Sequence, residues 1–119
     1  MLKFLPGYRK LMRDGAQAQA VVIKSVAVPG SHGVWGCDLR LRVHFDDGTT
    51  TELDRSAQIY DLGGRVVVEG DVLPVRFDAA DRSKIELDVA AARAAAHKQR
   101  DEAAAAAIAR TEARLARRP

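Results

Sequence analysis

The stretch from Cys37 to Asp54 constrains the fold more than any other part of the chain. Cys37, Leu39, Leu41, Val43 and Phe45 alternate with Asp38, Arg40, Arg42 and His44. A period of two with one apolar face specifies a half-buried β-strand. Asp46-Asp47-Gly48 follows, then Thr49 to Asp54, and the length of that turn decides which side chains meet. A two-residue Asp47-Gly48 turn sets Val43 against Glu52 and Leu41 against Asp54, which puts carboxylates on the core face. A three-residue Asp46-Asp47-Gly48 loop instead pairs Phe45 with Thr49, Val43 with Thr51 and Leu41 with Leu53. It sets Arg42 opposite Glu52 and Arg40 opposite Asp54, and it gives Gly48 the left-handed position of a bulged hairpin. Only this register makes both faces consistent, so it is the predicted one. Arg40 and Arg42 then read as cross-strand partners of carboxylates rather than as a basic strip for a polyanion.

The same period runs through the rest of residues 16–88. Leu73, Val75 and Phe77 alternate with Val72, Pro74 and Arg76, and Ile85, Leu87 and Val89 with Lys84, Glu86 and Asp88. Gln17 to Val28 is apolar on both faces in its middle, which predicts a more buried strand bulged near Lys24 and Ser25. Val66-Val67-Val68 reads as a short strand before a turn at Glu69-Gly70, and Ser56 to Gly64 as irregular or a single helical turn. Pro74 requires its strand to be an edge or to begin with a free N–H side. Several short strands without a long helix between them predict a small antiparallel barrel, OB-like or SH3-like, which also removes exposed edges.

The opening and closing residues of this body carry a resemblance. Met12, Gly15, Ala18, Ala20 and Val22 open it, and Gly70, Leu73, Val75, Arg76, Asp78, Ala80 and Asp81 close it. The pattern resembles a family of small bacterial β-barrel modules of unknown function, mainly actinobacterial. Its closing motif has the form GxxLxVRxDPAD, and Ala79 stands here in the Pro place. The resemblance covers about residues 11–88 and implies the barrel fold without implying catalytic residues.

After Asp88 the composition changes abruptly. Residues 89–119 are rich in Ala, with Arg, Lys, Gln and Glu, and contain no Gly and no Pro before Pro119. These are the strongest helix formers. Asp88 suits the N-cap, and Arg114, Arg117 and Arg118 suit the negative C-terminal end. A helix of about 28 residues is ~42 Å long, longer than so small a barrel is wide, so part of it should project. Val89, Ile108 and Leu115 are its large apolar residues. Ile108 and Leu115 are a heptad apart, but Asp101 holds the preceding heptad position, so no sustained coiled-coil seam exists.

Charge follows the same three-part division. Residues 1–15 carry four basic and one acidic side chain, net +3. Residues 16–88 carry eight basic and twelve acidic, net −4, and residues 89–119 carry seven basic and three acidic, net +4. The simplest account of this asymmetry has a basic end lying on the acidic body, or simply kept soluble by its charge. In the N-terminal segment, Leu2, Phe4, Leu5, Tyr8, Leu11 and Met12 are interleaved with Lys3, Arg9, Lys10 and Arg13. That pattern fits weak contact with an anionic membrane surface or a cover over the barrel.

Constellations that carry chemistry are missing from this sequence. The single Cys37 falls on the inward face of its strand, a buried inert thiol. One cysteine allows no intramolecular disulfide, which suits a reducing cytoplasm. His32, His44 and His97 fall on a loop, an outer strand face and the tail, without metal-ligand spacing. Asp78 and Asp81 read as turn residues bonding nearby backbone. The Gly30–Gly36 loop holds the one Trp, with no phosphate-binding spacing. Trp35 is either an anchor on a flexible lip or, the favoured reading, a cap on one mouth of the barrel. No catalytic role, cofactor or metal is expected. The expected function is a protein-interaction or scaffold module, with Trp35, Arg93, Arg100, Ile108, Arg110, Arg114, Leu115 and Arg118 as candidate partner-binding residues. A protein partner through the helical tail ranks first, association with nucleic acid through the basic ends second, and attachment to a membrane surface through residues 1–15 third.

Overall fold

The computed structural model describes residues 7–118. The part of the N-terminal segment read on Leu2, Lys3, Phe4 and Leu5 lies outside them. The described chain begins with helix α1 (Tyr8–Asp14) and continues through β1 (Ala16–Gly30), β2 (Gly33–His44) and β3 (Thr50–Gln58). A 3-10 turn at Ile59–Leu62 leads to β4 (Val72–Asp78), β5 (Asp81–Leu87) and helix α2 (Val89–Ala116). All strand pairs are antiparallel, in the order β3-β2-β1-β4-β5. The first four strands thus lie in the spatial order 4-1-2-3 of a Greek key. With β5 added, the sheet curls into a five-stranded, nearly closed barrel, the OB-like of the two expected architectures.

The hairpin takes the predicted register. Arg40 faces Asp54, Leu41 faces Leu53, Arg42 faces Glu52 and Val43 faces Thr51. Phe45 N–H donates to the Thr49 carbonyl at 3.0 Å, and Gly48 sits at φ 85°. A bulge also falls where one was expected, one position earlier. The β1–β2 register shifts between Val22 and Lys24, leaving Ile23 as the extra residue. Before it, Ala18, Ala20 and Val22 point into the core; after it, Ser25 and Ala27 stand opposite the buried Leu39 and Cys37. The bulge resets the phase of a strand too long to keep one face inward along a curving sheet.

The core is aliphatic, as the low aromatic content requires. Val22, Leu39, Leu41, Val43, Val67, Leu73, Val75, Ile85 and Leu87 fill it. At one end, the rings of Phe45 and Phe77 meet edge to face at 4.9 Å. Arg82 stacks over Phe45 at 4.3 Å and is held by Asp47 at 2.9 Å. Arg76 of β4 also ties the start of the body to the start of α2. Arg76 donates to the Gly15 carbonyl at 3.0 Å and pairs with Asp88 at 3.1 Å.

The edge strands β3 and β5 share no backbone ladder; Arg55 spans the gap. Its Nη2 donates to the Ile85 carbonyl at 2.6 Å, and its Nη1 to the Asp54 carbonyl at 2.7 Å. Its Nε lies 3.3 Å from Glu86 Oε2, an ion-pair distance without hydrogen-bond alignment. A guanidinium can satisfy several carbonyls at once, so one side chain substitutes for strand pairing across the seam.

Two expectations about the body need correction. Val66 to Val68 is not a strand. Only Val67 enters the core; Val66 and Val68 are exposed on either side of it. Ser56 to Gln58 continue β3, so the irregular stretch begins only after them, with the 3-10 turn. For the Pro74 strand the second of the two expected alternatives holds: β4 is internal, and its N–H side is free of a ladder partner at Pro74. Pro74 is tolerated because its carbonyl, and therefore its missing N–H, faces Asp88, where β5 has already passed into helix.

Helix α2 is capped as the sequence indicates, with the Asp88 carboxylate accepting from Ala91 N–H at 3.1 Å. Only its first two turns pack on the body. Ala92 is buried, Val89, Arg93 and Ala96 are half-buried, and every residue from His97 to Arg118 is exposed. The helix therefore projects. This is the projection expected from its length; of the two accounts of its charge, lying on the acidic body fails for α2, because an Ala-rich face has too little apolar area to hold the helix down.

Candidate functional site

The charges of the barrel are largely spent within the barrel. On the outer face of β2 and β3, Arg40 pairs with Asp54 at 3.1 Å and with Glu52 at 3.4 Å. Arg42 pairs with Glu52 at 3.0 Å, and Ser56 donates to Asp38 at 2.7 Å. The hydrogen bond from Arg42 holds Glu52 below the usual carboxylate range. Asp47 falls to about 2, first through the Thr49 hydroxyl and N–H and then through Arg82. Asp78 accepts from Ala80 N–H at 2.9 Å and Asp81 from Ser83 N–H at 3.1 Å, the turn role expected of both.

A cleft of about 280 Å³ opens at the β3–β5 seam. Cys37, Ala57, Leu87 and Val89 make its apolar wall, with Arg55, Asp61 and Glu86 as polar groups. Tyr8 of α1 closes one side, its hydroxyl donating to the Leu87 carbonyl at 3.1 Å. Burial raises the pKa of that phenol. The Cys37 thiol is fully buried.

Trp35 stands at the rim of this cleft but does not plug it. It is 55% exposed, which corrects the favoured reading of a cap on the barrel mouth. The β1–β2 hairpin runs on to Gly30 and Gly33, whereas β3 stops pairing with β2 at Gly36. Trp35 therefore lies past the third strand, with no strand beside it on that side among the described residues. Val26 and Val34 are exposed on the same projecting hairpin.

The candidate residues of α2 separate into two groups. Arg93 belongs to the clamp that holds the helix: its Nη2 donates to Asp61 at 2.9 Å and its Nε to the Tyr60 carbonyl at 3.2 Å. Gly63, at φ 78°, gives way to Ala96; a Cβ there would collide with the Ala96 methyl. Beyond the clamp, Arg100 lies 2.9 Å from His97 Nδ1. Arg110, Arg114 and Arg118 are exposed, and Ile108 and Leu115 are 58% and 51% exposed. At ~100° per residue, Ile108 and Leu115 share one face, and Arg100, Arg114 and Arg118 lie roughly 80–120° to one side of it. Asp101 and Glu112 fall to the other side at roughly 20–40°.

Sequence reasoning missed Arg55 and Asp61. For Arg55 the signal was parity: Leu53, Arg55 and Ala57 continue the inward positions of β3. For Asp61 it was an acidic residue inside the apolar run Ile59-Tyr60-Asp61-Leu62. Among the described residues, no group of three His, Cys, Asp or Glu side chains could hold a metal ion. Nor is any helix among them long and apolar enough to cross a membrane. No family model matches the chain, and no curated protein or solved structure matches it significantly.

Proposed function

We propose that the protein is a non-enzymatic interaction module in which the barrel is a rigid base and the far half of α2 is a docking arm for another protein. One observation carries this reading. The first two turns of α2 are fixed by the Asp88 cap, the Arg93–Asp61 pair and the Gly63–Ala96 contact, while every residue from His97 to Arg118 is exposed. A helix that long contributes nothing to the core over its far half, and isolated helical segments are only marginally stable in water. A binding partner would give the exposed half its stability. The reading includes kinship with the small actinobacterial barrel modules, supported by the Arg76–Gly15 contact between the two motifs. It also includes a reducing, cytoplasmic setting, supported by a single unpaired cysteine.

A nucleic-acid role is the weaker reading. OB-like barrels that bind single strands combine cations with aromatic stacking platforms on the face of strands two and three. Here the arginines of that face are matched by carboxylates, and Trp35, the one Phe, Tyr or Trp of β2 and β3, lies past the end of their pairing rather than among those arginines.

The test compares capture of partners by the full chain and by residues 1–96. The shorter chain keeps all of the buried surface, because each residue removed is exposed or lies at the terminus. Specific partners should be lost on truncation. Equal recovery by both forms would remove the arm from the account.

A further inference from the structure

We infer that the partner surface read by the far half of α2 is an acidic, amphipathic helical segment of another protein. This inference rests on the reading of α2 as a docking arm and names the chemistry of what docks.

The first observation is unspent charge. The barrel arginines Arg40, Arg42, Arg65, Arg76 and Arg82 each pair with a carboxylate. Among the described residues, no ion pair reaches Arg110, Arg114 or Arg118. Arg100 meets only a histidine nitrogen. The arm thus offers cations that the rest of the molecule does not neutralise, and the complementary surface is anionic.

The second observation decides which kind of anion. Ile108 and Leu115 lie beside the arginine edge and are 58% and 51% exposed. A phosphate backbone engages arginines and gains nothing from covering Ile and Leu, whereas a protein helix with an apolar stripe buries both. Ala104 lies between the arginine edge and the apolar pair, Ala107 among the arginines and Ala103 just beyond them. Their small side chains allow a second helix to approach at the short end of the usual ~8–10 Å interaxial range. The matching segment carries Leu or Ile at heptad spacing, with Asp or Glu on the edge that faces Arg100, Arg114 and Arg118. Asp101 interrupts the apolar stripe of the arm, so the apolar part of the contact spans only about two turns, while its charged edge runs on to Arg100, and affinity is modest.

The test uses the full chain and three fluorescent probes at about 50 and 150 mM salt, read by anisotropy. The probes are a helical peptide with Leu at heptad spacing and Glu on its flanks, the same peptide with Gln for Glu, and a DNA duplex of about 20 base pairs. The acidic peptide should bind most tightly and weaken with salt. The double variant Ile108→Ser, Leu115→Ser should weaken it by about tenfold or more, while the circular dichroism of the barrel stays unchanged. Tighter binding of the duplex, insensitive to the Ser pair and steeply salt-dependent, would overturn the inference in favour of nucleic acid. So would indifference to the exchange of Glu for Gln, or failure of the acidic peptide to bind. If truncation at residue 96 still abolishes partner capture in those cases, the arm stands and only the chemistry assigned to its partner falls.

Discussion

Replacing Arg55 by Met tests whether one side chain closes the barrel. Met keeps most of the aliphatic stem and removes only the guanidinium. What disappears is a 2.6 Å hydrogen bond to the Ile85 carbonyl, a 2.7 Å hydrogen bond to the Asp54 carbonyl and the 3.3 Å approach to Glu86. A hydrogen bond from a charged donor contributes about 1.5–3 kcal/mol. The bond to Asp54 is local and exposed and counts for little. The side chains of Arg55 and Glu86 are 24% and 28% exposed, so solvent screens part of their attraction. The expected loss is about 2 kcal/mol, large against the ~5–15 kcal/mol of a whole domain. Urea unfolding followed by circular dichroism should show a lower midpoint with an unchanged slope, and the melting temperature should drop by about 10 °C. Hydrogen exchange should rise in β3 and β5 before it rises in β1 and β2. A loss below about 0.5 kcal/mol would refute the reasoning. The seam would then be held by apolar packing around Ile85 and Leu87, with Arg55 incidental.

Other consequences are equally direct. Gly48→Ala forces a side chain into a φ of 85° and should cost about 1–2 kcal/mol by urea unfolding; no change would refute the bulged register. Asp47 titrates at about 2 in the folded chain against an ordinary value of 3.8. Its stabilisation is therefore complete above pH 3.8 and is lost as the pH falls through about 2. The wild-type chain and Asp47→Asn should differ in stability near neutral pH and converge below pH 3.8; parallel acid limbs would contradict the assignment. Trp35 is the single tryptophan and is 55% exposed, so its emission should resemble that of indole in water and be quenched by iodide. A blue-shifted, protected emission would restore the barrel-cap reading.

How much of this was legible in the sequence depended on whether local chemistry alone decides the outcome. The hairpin was readable because Gly48 and the alternation on both sides admit one register in which carboxylates avoid the core. The bulge was readable because Ala18, Ala20 and Val22 cannot share a face with Ser25 and Ala27 without an extra residue. The tail was readable because Ala and Arg leave the chain little choice but helix. Other features depend on distant partners. Val66 to Val68 has strand propensity, but only Val67 finds a place in the core, so the run stays irregular. Arg55 looks like a polar strand residue until β5 arrives beside it with a carbonyl to satisfy. Trp35 could have capped the barrel had β3 extended as far as the β1–β2 hairpin does. Among the arginines of α2, Arg93 differs from Arg100 or Arg114 only because Asp61 lies within its reach.

The central claim is that partners meet the far half of α2, and site-specific photocrosslinking tests it where contact occurs. A photoreactive side chain at position 107, between the arginines of the arm, is compared in cells with one at position 56 on the outer barrel face. The account predicts a discrete protein adduct from position 107 that disappears with Ile108→Ser, Leu115→Ser, and none from position 56. Adducts from position 56 alone, or a position-107 adduct that contains nucleic acid, would contradict it.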